Sequence, residues 1–254
     1  MSGRGREERL GRQRVAVIAG STGLIGTQLV RLLQQQRAVY SRVIVLTRRP
    51  LPAEVLASKS PVPLEQRVID FNRLTEAFPD GSEVLTDADV YCALGTTIKK
   101  AGSQAEFRLV DYEYPLELGR LASQFSAARF LIVTAMGADA RSRIFYNRVK
   151  GEVERELRAL ELQALRIFRP SLLLGEREEH RTGERIAVAL APLMNLLLRG
   201  PLAKYKPIEG LAVAQGMTAA ATAGFDVGVG EGESATIVFE SDQIAALARA
   251  WFSR

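Results

Sequence analysis

The segment that decides the fold is Val15-Ala-Val-Ile-Ala19, followed at once by Gly20-Ser-Thr-Gly23-Leu-Ile-Gly26. The first five residues form an uninterrupted apolar run of strand length, which is typical of a strand covered on both faces. Ile25, Leu29 and Leu32 then follow at helical spacing. A strand, a glycine-rich turn and a helix in this order predict the first unit of a parallel α/β sheet.

Short apolar runs alternate with helical patterns along most of the remaining chain. Further strands are predicted at residues 43–46, 67–70, 89–94, 129–134, 165–168 and 235–239. A helix is predicted from about Gln104 to Phe125, with a kink or break at Pro115. Another helix is predicted by an apolar stripe that consists of Val149, Val153, Leu157 and Leu160. A closing helix is predicted to start near Ser241-Asp242. We therefore expect a single Rossmann-type α/β domain, a doubly wound parallel sheet with an elaborated C-terminal substrate-side region.

The bulk composition fits a chain that buries one full core, with 254 residues of which 47% are hydrophobic. The net charge of +5 is concentrated at the N-terminus, where five arginines accompany two glutamates in residues 1–14. Residues 1–13 are expected to be a disordered basic tail, and residues 14–254 to form the domain. A nucleic-acid arm is not favoured, because neither aromatic interleaving nor a folded basic stripe accompanies the tail.

Several cellular settings are disfavoured by the sequence. The longest apolar candidate, Ile186–Leu198, is too short to span a membrane and contains Pro192. The N-terminus lacks the apolar run of a secretory signal, and a single cysteine, Cys92, cannot form an internal disulfide. We therefore expect a cytoplasmic protein without membrane partners.

The glycine-rich turn after the first strand has the chemistry of a phosphate-binding loop. Glycine permits positive φ and lets the backbone approach a pyrophosphate, while the following helix offers free N–H groups and its positive dipole end. A turn without a ligand is the plainer alternative. The candidate cofactor-binding residues here are Gly20, Ser21, Thr22, Gly23, Leu24, Ile25 and Gly26.

The end of the second strand suggests which dinucleotide would bind. An NAD site commonly places an acidic residue here for the ribose 2′-hydroxyl, but this strand ends in Leu46-Thr47-Arg48-Arg49. Arg48 or Arg49 could pair with a 2′-phosphate instead, although two arginines after a strand can also be a solvated loop. The sequence favours NADP(H) over NAD(H).

Two further strand ends outline the same crevice. Asp70-Phe71 closes the third strand, where such folds place groups against the adenine, and Leu94-Gly95-Thr96 closes the fourth. Carboxyl ends of parallel strands form the ligand edge of an open sheet. Taken singly, each could be an ordinary strand exit.

Tyr146-Asn-Arg-Val-Lys150 is the most chemically suggestive element. Positions i and i+4 share a helix face, so the phenol and the ammonium can point into one cleft. A neighbouring ammonium favours the phenolate, which suits a tyrosine general acid or base, and lysine can also bind ribose hydroxyls. A chance Tyr-x-x-x-Lys in an ordinary helix is the alternative.

Other titratable residues are not assigned a function. His180 is the only histidine, so no metal site is expected, and it is interpreted as a solvated loop residue. Cys92 is interpreted as a small buried hydrophobe. Glu152, Glu154 and Glu156 are interpreted as a solvated helix face.

The ordered motifs resemble the extended and atypical short-chain dehydrogenase/reductases, and more narrowly the Tat-interacting-protein-like atypical group. The resemblance runs from about Arg14 to the 220s. The segments that carry it, besides the glycine turn, are Tyr91–Thr97 with Lys100-Ala-Gly102, Phe107–Asp111, Met136–Asp139, Phe145–Glu154 and Phe168–Pro170.

The resemblance implies roles for the matching positions. Gly20, Gly23 and Gly26 would cradle the pyrophosphate, and Arg48 would meet the adenosine-side phosphate. Tyr146 would be the acid/base residue and Lys150 would bind the nicotinamide ribose, with Pro170 among the cofactor-side residues. Active relatives place a serine at the end of the fifth strand, whereas this chain has Thr134-Ala-Met136. Thr134 could supply the hydroxyl, and otherwise the catalytic set is incomplete.

Two functions remain open at this point. One is an NADP(H)-dependent oxidoreductase that acts on a small carbonyl or alcohol of unknown identity. The other is a non-catalytic NADP(H)-binding regulator or redox sensor. A protein partner or a homodimer is compatible with both.

Overall fold

The computed structural model describes residues 13–56, 59–78, 81–174, 200–222 and 235–252. Within them, seven strands pair into one parallel sheet in the order β3-β2-β1-β4-β5-β6-β9. These strands are β1 (Arg14–Ala19), β2 (Tyr40–Thr47), β3 (Leu64–Val68), β4 (Asp89–Cys92), β5 (Arg129–Val133), β6 (Ala164–Arg169) and β9 (Ala235–Glu240). The predicted doubly wound α/β sheet is confirmed.

The strand order places a topological switch between β1 and β4. The chain starts in the centre at β1, moves outward through β2 and β3, and then returns to pair β4 with the other side of β1. The connections that lead to β2 and β3 therefore lie on one side of β1, and those that follow β4 lie on the other side. A crevice opens at the carboxyl ends of these two strands, which is where open α/β sheets bind ligands.

Helices cover both faces of this sheet. They are α1 (Leu24–Leu33), α2 (Ala53–Leu56), α3 (Gly81–Leu85), α4 (Ile98–Ala101), α5 (Gln104–Arg108), α6 (Tyr114–Gln124), α7 (Phe145–Arg158), α8 (Gly210–Thr222) and α9 (Ser241–Phe252). Alternate residues of β1 point to opposite faces. Ile18 packs in the cluster that includes side chains of α1, α8 and α9, and Val17 packs in the cluster with α6 and α7.

The third strand starts three residues and ends two residues earlier than predicted, at Leu64–Val68 instead of 67–70. Among the described strands it pairs with β2 alone, at the edge of the sheet, and none of its residues is fully buried. Glu65 forms ion pairs with Arg42 and Arg67 at 3.1 and 2.7 Å. A half-exposed edge strand lacks a continuous apolar run, so the polar residues Glu65, Gln66 and Arg67 that follow Leu64 concealed its start.

The predicted helix 104–125 is interrupted before Pro115. It consists of α5, a single π-helical segment at Leu109–Glu113, and α6. Proline cannot donate a backbone hydrogen bond, and its ring crowds the carbonyl four residues back, here that of Asp111. The widened turn accommodates both effects. The predicted α7 is present, but it ends at Arg158, so Leu160 lies beyond it.

The C-terminal third also contains a second, two-stranded sheet. Its two strands, β7 (Leu173–Leu174) and β8 (Ile208–Glu209), pair in parallel. The predicted final strand and closing helix are confirmed as β9 and α9. Among the described helices, none is both long and apolar enough to cross a membrane. The predictions for residues 1–12, His180 and Ile186–Leu198 lie outside the described residues.

Candidate functional site

The turn after β1 requires glycine at two positions. Gly20 has φ of +90°, and a Cβ there would lie 2.4 Å from the carbonyl oxygen of Ala93. A Cβ at Gly26 would lie 2.0 Å from the carbonyl oxygen of Gly20. Both separations are far inside van der Waals contact. The turn therefore packs directly against the chain leaving β4, at the switch point of the sheet.

The N-terminus of α1 is open to an anion. Gly23 is the N-cap residue and provides no side-chain hydrogen bond to the first turn. The buried Ser21 is 4% exposed, and its Oγ has no hydrogen-bond partner among the described residues. Thr22 is exposed, whereas Ile25 packs into the core. Uncapped N–H groups, the positive end of a helix dipole and an unpartnered hydroxyl together suit a bound phosphate group.

The loop after β2 holds two arginines in solvent. The Gln66 amide nitrogen donates to Thr47 Oγ1 at 2.6 Å and to the Arg49 carbonyl at 3.1 Å, which fixes the backbone of this loop. Arg48 and Arg49 are exposed, and neither forms an ion pair with any described residue. Their guanidinium groups are free to bind an anionic ligand.

Asp70 and Phe71 occupy the adjoining strand end. Asp70 Oδ1 accepts hydrogen bonds from the backbone N–H and the side-chain amide of Asn72, at 2.9 and 3.0 Å. The Phe71 ring is buried and lies 5.4 Å from the ring of Tyr114. Burial, followed by the Asp70 carboxylate, raises the pKa of Tyr114, whereas Arg48 opposes the rise. Arg48, Asp70 and Tyr114 thus lie near one another, and the Phe71 side chain is a core residue.

The buried carboxylate of Asp111 holds the Lys150 ammonium close to the turn that follows β4. The Lys150 Nζ lies 2.7 Å from Asp111 Oδ1, and the two residues are 4% and 1% exposed. Asp111 Oδ2 accepts the backbone N–H of Thr96 at 2.9 Å. The carboxylate and the ammonium lie 3.5 and 3.9 Å from the Cβ position of Gly95. The predicted residues of α7 and of the turn after β4 therefore do meet.

The electrostatics keep Lys150 charged. Burial on its own lowers the pKa of Lys150, but the Asp111 carboxylate and, to a smaller extent, Tyr146 outweigh burial, so the pKa lies above its ordinary value. Cys92 lies close by in β4, and burial raises the pKa of its thiol to about 12. An ammonium beside a fully protonated thiol is the state expected at neutral pH.

Tyr146 lies on α7 one turn before Lys150 and is partly exposed. Its ring lies 5.6 Å from the buried ring of Phe107. One residue past the lysine, a Cβ at Gly151 would lie 2.1 Å from the backbone nitrogen of Ala140. Glycine there lets the loop after β5 lie directly on α7. Packing on both sides therefore fixes the helix that presents the phenol.

The Thr134 hydroxyl, at the end of β5, is engaged by a buried glutamate of α7. The hydroxyl donates to Glu154 Oε1 at 2.6 Å, and the residue is buried. The next residue, Ala135, has no polar side chain, and the Met136 backbone N–H donates to the carbonyl of the buried Pro170 at 2.9 Å. The hydroxyl expected to bind a substrate carbonyl thus serves as a donor to a buried glutamate.

Sequence reasoning missed two site-forming acids. Glu154 was expected on a solvated face, but it is 2% exposed because Arg169 binds both of its oxygens and Thr134 donates to one of them. Helical periodicity could have found it, since Val153 and Leu157 share the buried stripe with it. Asp111 ends the segment Phe107–Asp111 that carries the family resemblance, but no spacing in the sequence pairs it with Lys150. Among the described residues, no group of three His, Cys, Asp or Glu side chains could hold a metal ion.

The sheet order, the glycine turn at the switch point and the tyrosine–lysine helix define a short-chain dehydrogenase/reductase fold. The solved structure of MoeE5 in complex with UDP-glucuronic acid and NAD shares it, with a TM-score of 0.60 at 17% identity. That match covers 89% of this chain and 76% of MoeE5.

The chain belongs to the HIM1 family, whose model matches residues 58–198. It is 36% identical to protein HTATIP2 of Rattus norvegicus over 171 residues. This alignment covers 67% of this chain and 67% of the relative. It is also 31% identical to protein FMP52, mitochondrial, of Eremothecium gossypii over 185 residues. This alignment covers 73% of this chain and 77% of the relative. The predicted membership of the atypical, Tat-interacting-protein-like group is therefore confirmed.

The expectation of a cytoplasmic protein is contradicted by these relatives. The FMP52 proteins of Eremothecium gossypii, Scheffersomyces stipitis and Candida albicans are named as mitochondrial. The expectation rested on a missing secretory signal and a single cysteine. Those features bear on the secretory route and carry no information about other organelles.

Proposed function

We propose that the crevice between β1 and β4 binds a nicotinamide dinucleotide, with NADP(H) preferred over NAD(H). The observation that carries the proposal is the turn at this crevice, where Gly20 and Gly26 admit no side chain and α1 begins without a side-chain cap. A pyrophosphate there would accept hydrogen bonds from the first-turn N–H groups and from Ser21 Oγ. The complex of MoeE5, which shares the fold, contains NAD and supports the same class of ligand.

The preference for NADP(H) is supported by charge at the end of β2. Arg48 and Arg49 are exposed and unpaired within the described residues, and no acidic residue occupies Leu46–Arg49 to bind a free 2′-hydroxyl. A guanidinium matches the geometry of a phosphate through two parallel N–H donors. Thr47 and Gln66 fix the loop that presents both arginines.

The leading activity is reduction of a carbonyl group, or oxidation of the corresponding alcohol. The bound nicotinamide would supply or accept the hydride. Tyr146 would donate its phenolic proton to the carbonyl oxygen during reduction, and Lys150 would bind ribose hydroxyls through the N–H groups that Asp111 does not engage. The ammonium one turn away stabilises the phenolate that proton donation leaves behind.

The second candidate is a non-catalytic dinucleotide-binding regulator, and one observation favours it. The Thr134 hydroxyl is occupied by Glu154, so the end of β5 lacks the free donor that a substrate carbonyl would use. Turnover of a carbonyl panel separates the candidates, and Tyr146→Phe then tests whether the phenol takes part in that turnover. A loss of about 10²-fold or more with unchanged cofactor affinity supports the oxidoreductase. If no carbonyl is reduced while cofactor binding is intact, the regulator is favoured.

The binding proposal is tested by titrating NADPH and NADH into the unaltered protein, Arg48→Ala and Arg49→Ala. Losing a charge-assisted contact costs about 1.5–3 kcal/mol, so one variant should bind NADPH at least about tenfold more weakly while its affinity for NADH is unchanged. Arg31→Ala is the matched control, because Arg31 is an exposed arginine in the last turn of α1, away from the glycine turn. Equal affinity for both dinucleotides in every variant would contradict the phosphate assignment.

A further inference from the structure

The loops at the carboxyl ends of β4, β5 and β6 combine exposed cations with exposed apolar side chains. We call residues 98–100 after β4, 141–144 after β5, 172 after β6 and 202–206 before β8 the basic apolar rim. An exposed aliphatic side chain on one loop is common, whereas several on neighbouring loops indicate an interaction surface. The rim holds most of the exposed large hydrophobic side chains of the described residues, namely Ile98, Ile144, Leu172, Leu202 and Tyr205.

The topology of the sheet and two contacts bring these loops together. β4, β5 and β6 are neighbours in a parallel sheet, so their carboxyl ends share one edge. The ring of Phe107 on α5, against which α4 packs, lies 5.6 Å from the ring of Phe145, the residue after Ile144. The Ile208 N–H donates to the Leu172 carbonyl at 2.9 Å, which joins the segment before β8 to the end of β6. The rim therefore follows a single edge of the sheet.

The rim is strongly cationic. It contains no acidic residue, and its cations are Lys99, Lys100, Arg141, Arg143, Lys204 and Lys206. Arg141 Nε lies 3.7 Å from the carboxylate of Asp139, outside the rim, but the arginine side chain is still 93% exposed. None of the other rim cations forms an ion pair with a described residue. Because these charges are not neutralised locally, they give this edge a positive potential.

We propose that the basic apolar rim docks the protein onto a membrane surface that carries anionic lipids. Lysine and arginine side chains near such a surface are attracted to its head groups, and salt screens this attraction. The aliphatic side chains between them would enter the interfacial layer, where their apolar surface leaves water. Docking of this kind needs no membrane-spanning helix, so the finding that no described helix can span a membrane is compatible with it. The inference does not depend on dinucleotide binding.

A nucleic acid fits the rim less well than a lipid surface does. Single-stranded nucleic acids bind to cations together with aromatic rings on which the bases stack. Tyr205 is the one aromatic residue of the rim, and the Lys204 ammonium lies 5.3 Å from the centre of its ring. Ile98, Ile144 and Leu172 are aliphatic and are exposed on separate loops, which suits a deformable apolar layer.

The experiment floats the full chain with vesicles of phosphatidylcholine alone and of an equimolar mixture with phosphatidylglycerol, at low and at high salt. We expect binding to the anionic vesicles that is at least about tenfold stronger than to phosphatidylcholine, and that salt weakens without abolishing. Lys99→Gln combined with Arg143→Gln should weaken binding at low salt at least about tenfold. Ile144→Ser combined with Leu172→Ser should remove the binding that persists at high salt.

The matched control is Arg31→Gln combined with Arg37→Gln. It removes the same charge from exposed positions between the last turn of α1 and the start of β2, at the opposite edge of the sheet. Vesicle affinity should change by less than about twofold, since these positions lie far from the rim compared with the screening length. Thermal melts check that each variant is folded, as expected for substitutions at exposed positions.

Three results would overturn the proposal. The first is absence of flotation with the anionic vesicles. The second is flotation that the rim variants leave unchanged, as binding through the arginines of residues 1–14 would give. The third is stronger binding of an oligothymidylate or of polyglutamate than of the anionic vesicles, which would assign the rim to a nucleic acid or to an acidic protein.

Discussion

Glu154 on α7 forms a two-point ion pair with Arg169 at the end of β6. Oε1 lies 3.0 Å from Nε, and Oε2 lies 2.5 Å from Nη2. The same carboxylate accepts the Thr134 hydroxyl at the end of β5. One buried side chain thus joins two strand ends to the helix that carries Tyr146 and Lys150.

Replacing Glu154 by alanine should destabilise the fold. Arg169 loses its main partner and Thr134 loses its acceptor, and breaking a buried pair by removing one member costs about 3 kcal/mol or more. Glu156→Ala is the matched control on the same helix, because its partner Arg155 is exposed and such pairs contribute less than about 1 kcal/mol. Urea unfolding measures both variants. Equal losses would mean that Glu154 has no structural role beyond that of a surface glutamate.

Substitutions in the glycine turn should separate folding from ligand binding. A Cβ at Gly23 meets only the Gly20 oxygen at 3.4 Å, and φ there is −83°, so Gly23→Ala should fold with a stability change within about 0.5 kcal/mol. We expect the added methyl group to obstruct the approach of a pyrophosphate to this turn, so that NADPH affinity falls at least about tenfold. Gly26→Ala, in contrast, collides with the backbone and should lower thermal stability itself. Thermal melts with and without NADPH measure both effects, and a Gly23→Ala variant that binds normally would contradict the turn's role.

Cys92 should be inert in the folded protein. It is fully buried, and burial raises the pKa of its thiol to about 12, so almost no thiolate exists at pH 8. In the native protein, Ellman's reagent should therefore react with Cys92 no faster than the fold opens. In urea, where the protein is unfolded, it should react with one thiol per chain. Because an unfolded thiol ionises near pH 8.5, this group should also favour unfolding as pH rises above that value. Rapid reaction of the native protein would show that β4 is accessible to solvent.

The Lys150–Asp111 pair should give stability a defined pH dependence. The pKa of Lys150 is raised on folding, so its contribution is complete below the unfolded value of about 10.4 and is lost as pH rises through the folded value. The difference in unfolding free energy between the unaltered protein and Asp111→Asn/Lys150→Met should therefore be constant from pH 7 to about 10 and change only above that range. Urea titrations across this range measure it. A change in that difference near neutrality would mean that Lys150 is not held as an ammonium.

Elements in the buried centre of the sheet could be predicted from sequence, whereas features made by tertiary contacts could not. Val15–Ala19 and residues 43–46 are covered on both faces, so their apolar runs predict strands directly. The edge strand β3 has one neighbour, and its polar Glu65 concealed its start. The position of the glycine turn between β1 and α1 could be predicted, because glycines directly after a buried strand mark a turn, but the contact of Gly20 with Ala93 is a tertiary one that the sequence does not show.

The partners of polar residues were the main limit at the site. Thr134 and Glu154 are 20 residues apart, and only the packing of α7 on β5 shows that each engages the other. Asp111 lies in the π-helical segment before Pro115 and pairs with Lys150, a tertiary contact that sequence spacing does not predict. Tyr146 and Lys150 could be paired from sequence because an i, i+4 relation is intrinsic to a helix.

An equilibrium titration of the unaltered protein with NADPH tests most directly whether the switch-point crevice binds NADP(H). We expect saturable binding of NADPH at one site per chain, displaced by NADP⁺ and by adenosine 2′,5′-bisphosphate, and binding of NADH that is at least about tenfold weaker. Absence of saturable binding for both NADPH and NADH would contradict it and would leave the glycine turn without its assigned ligand.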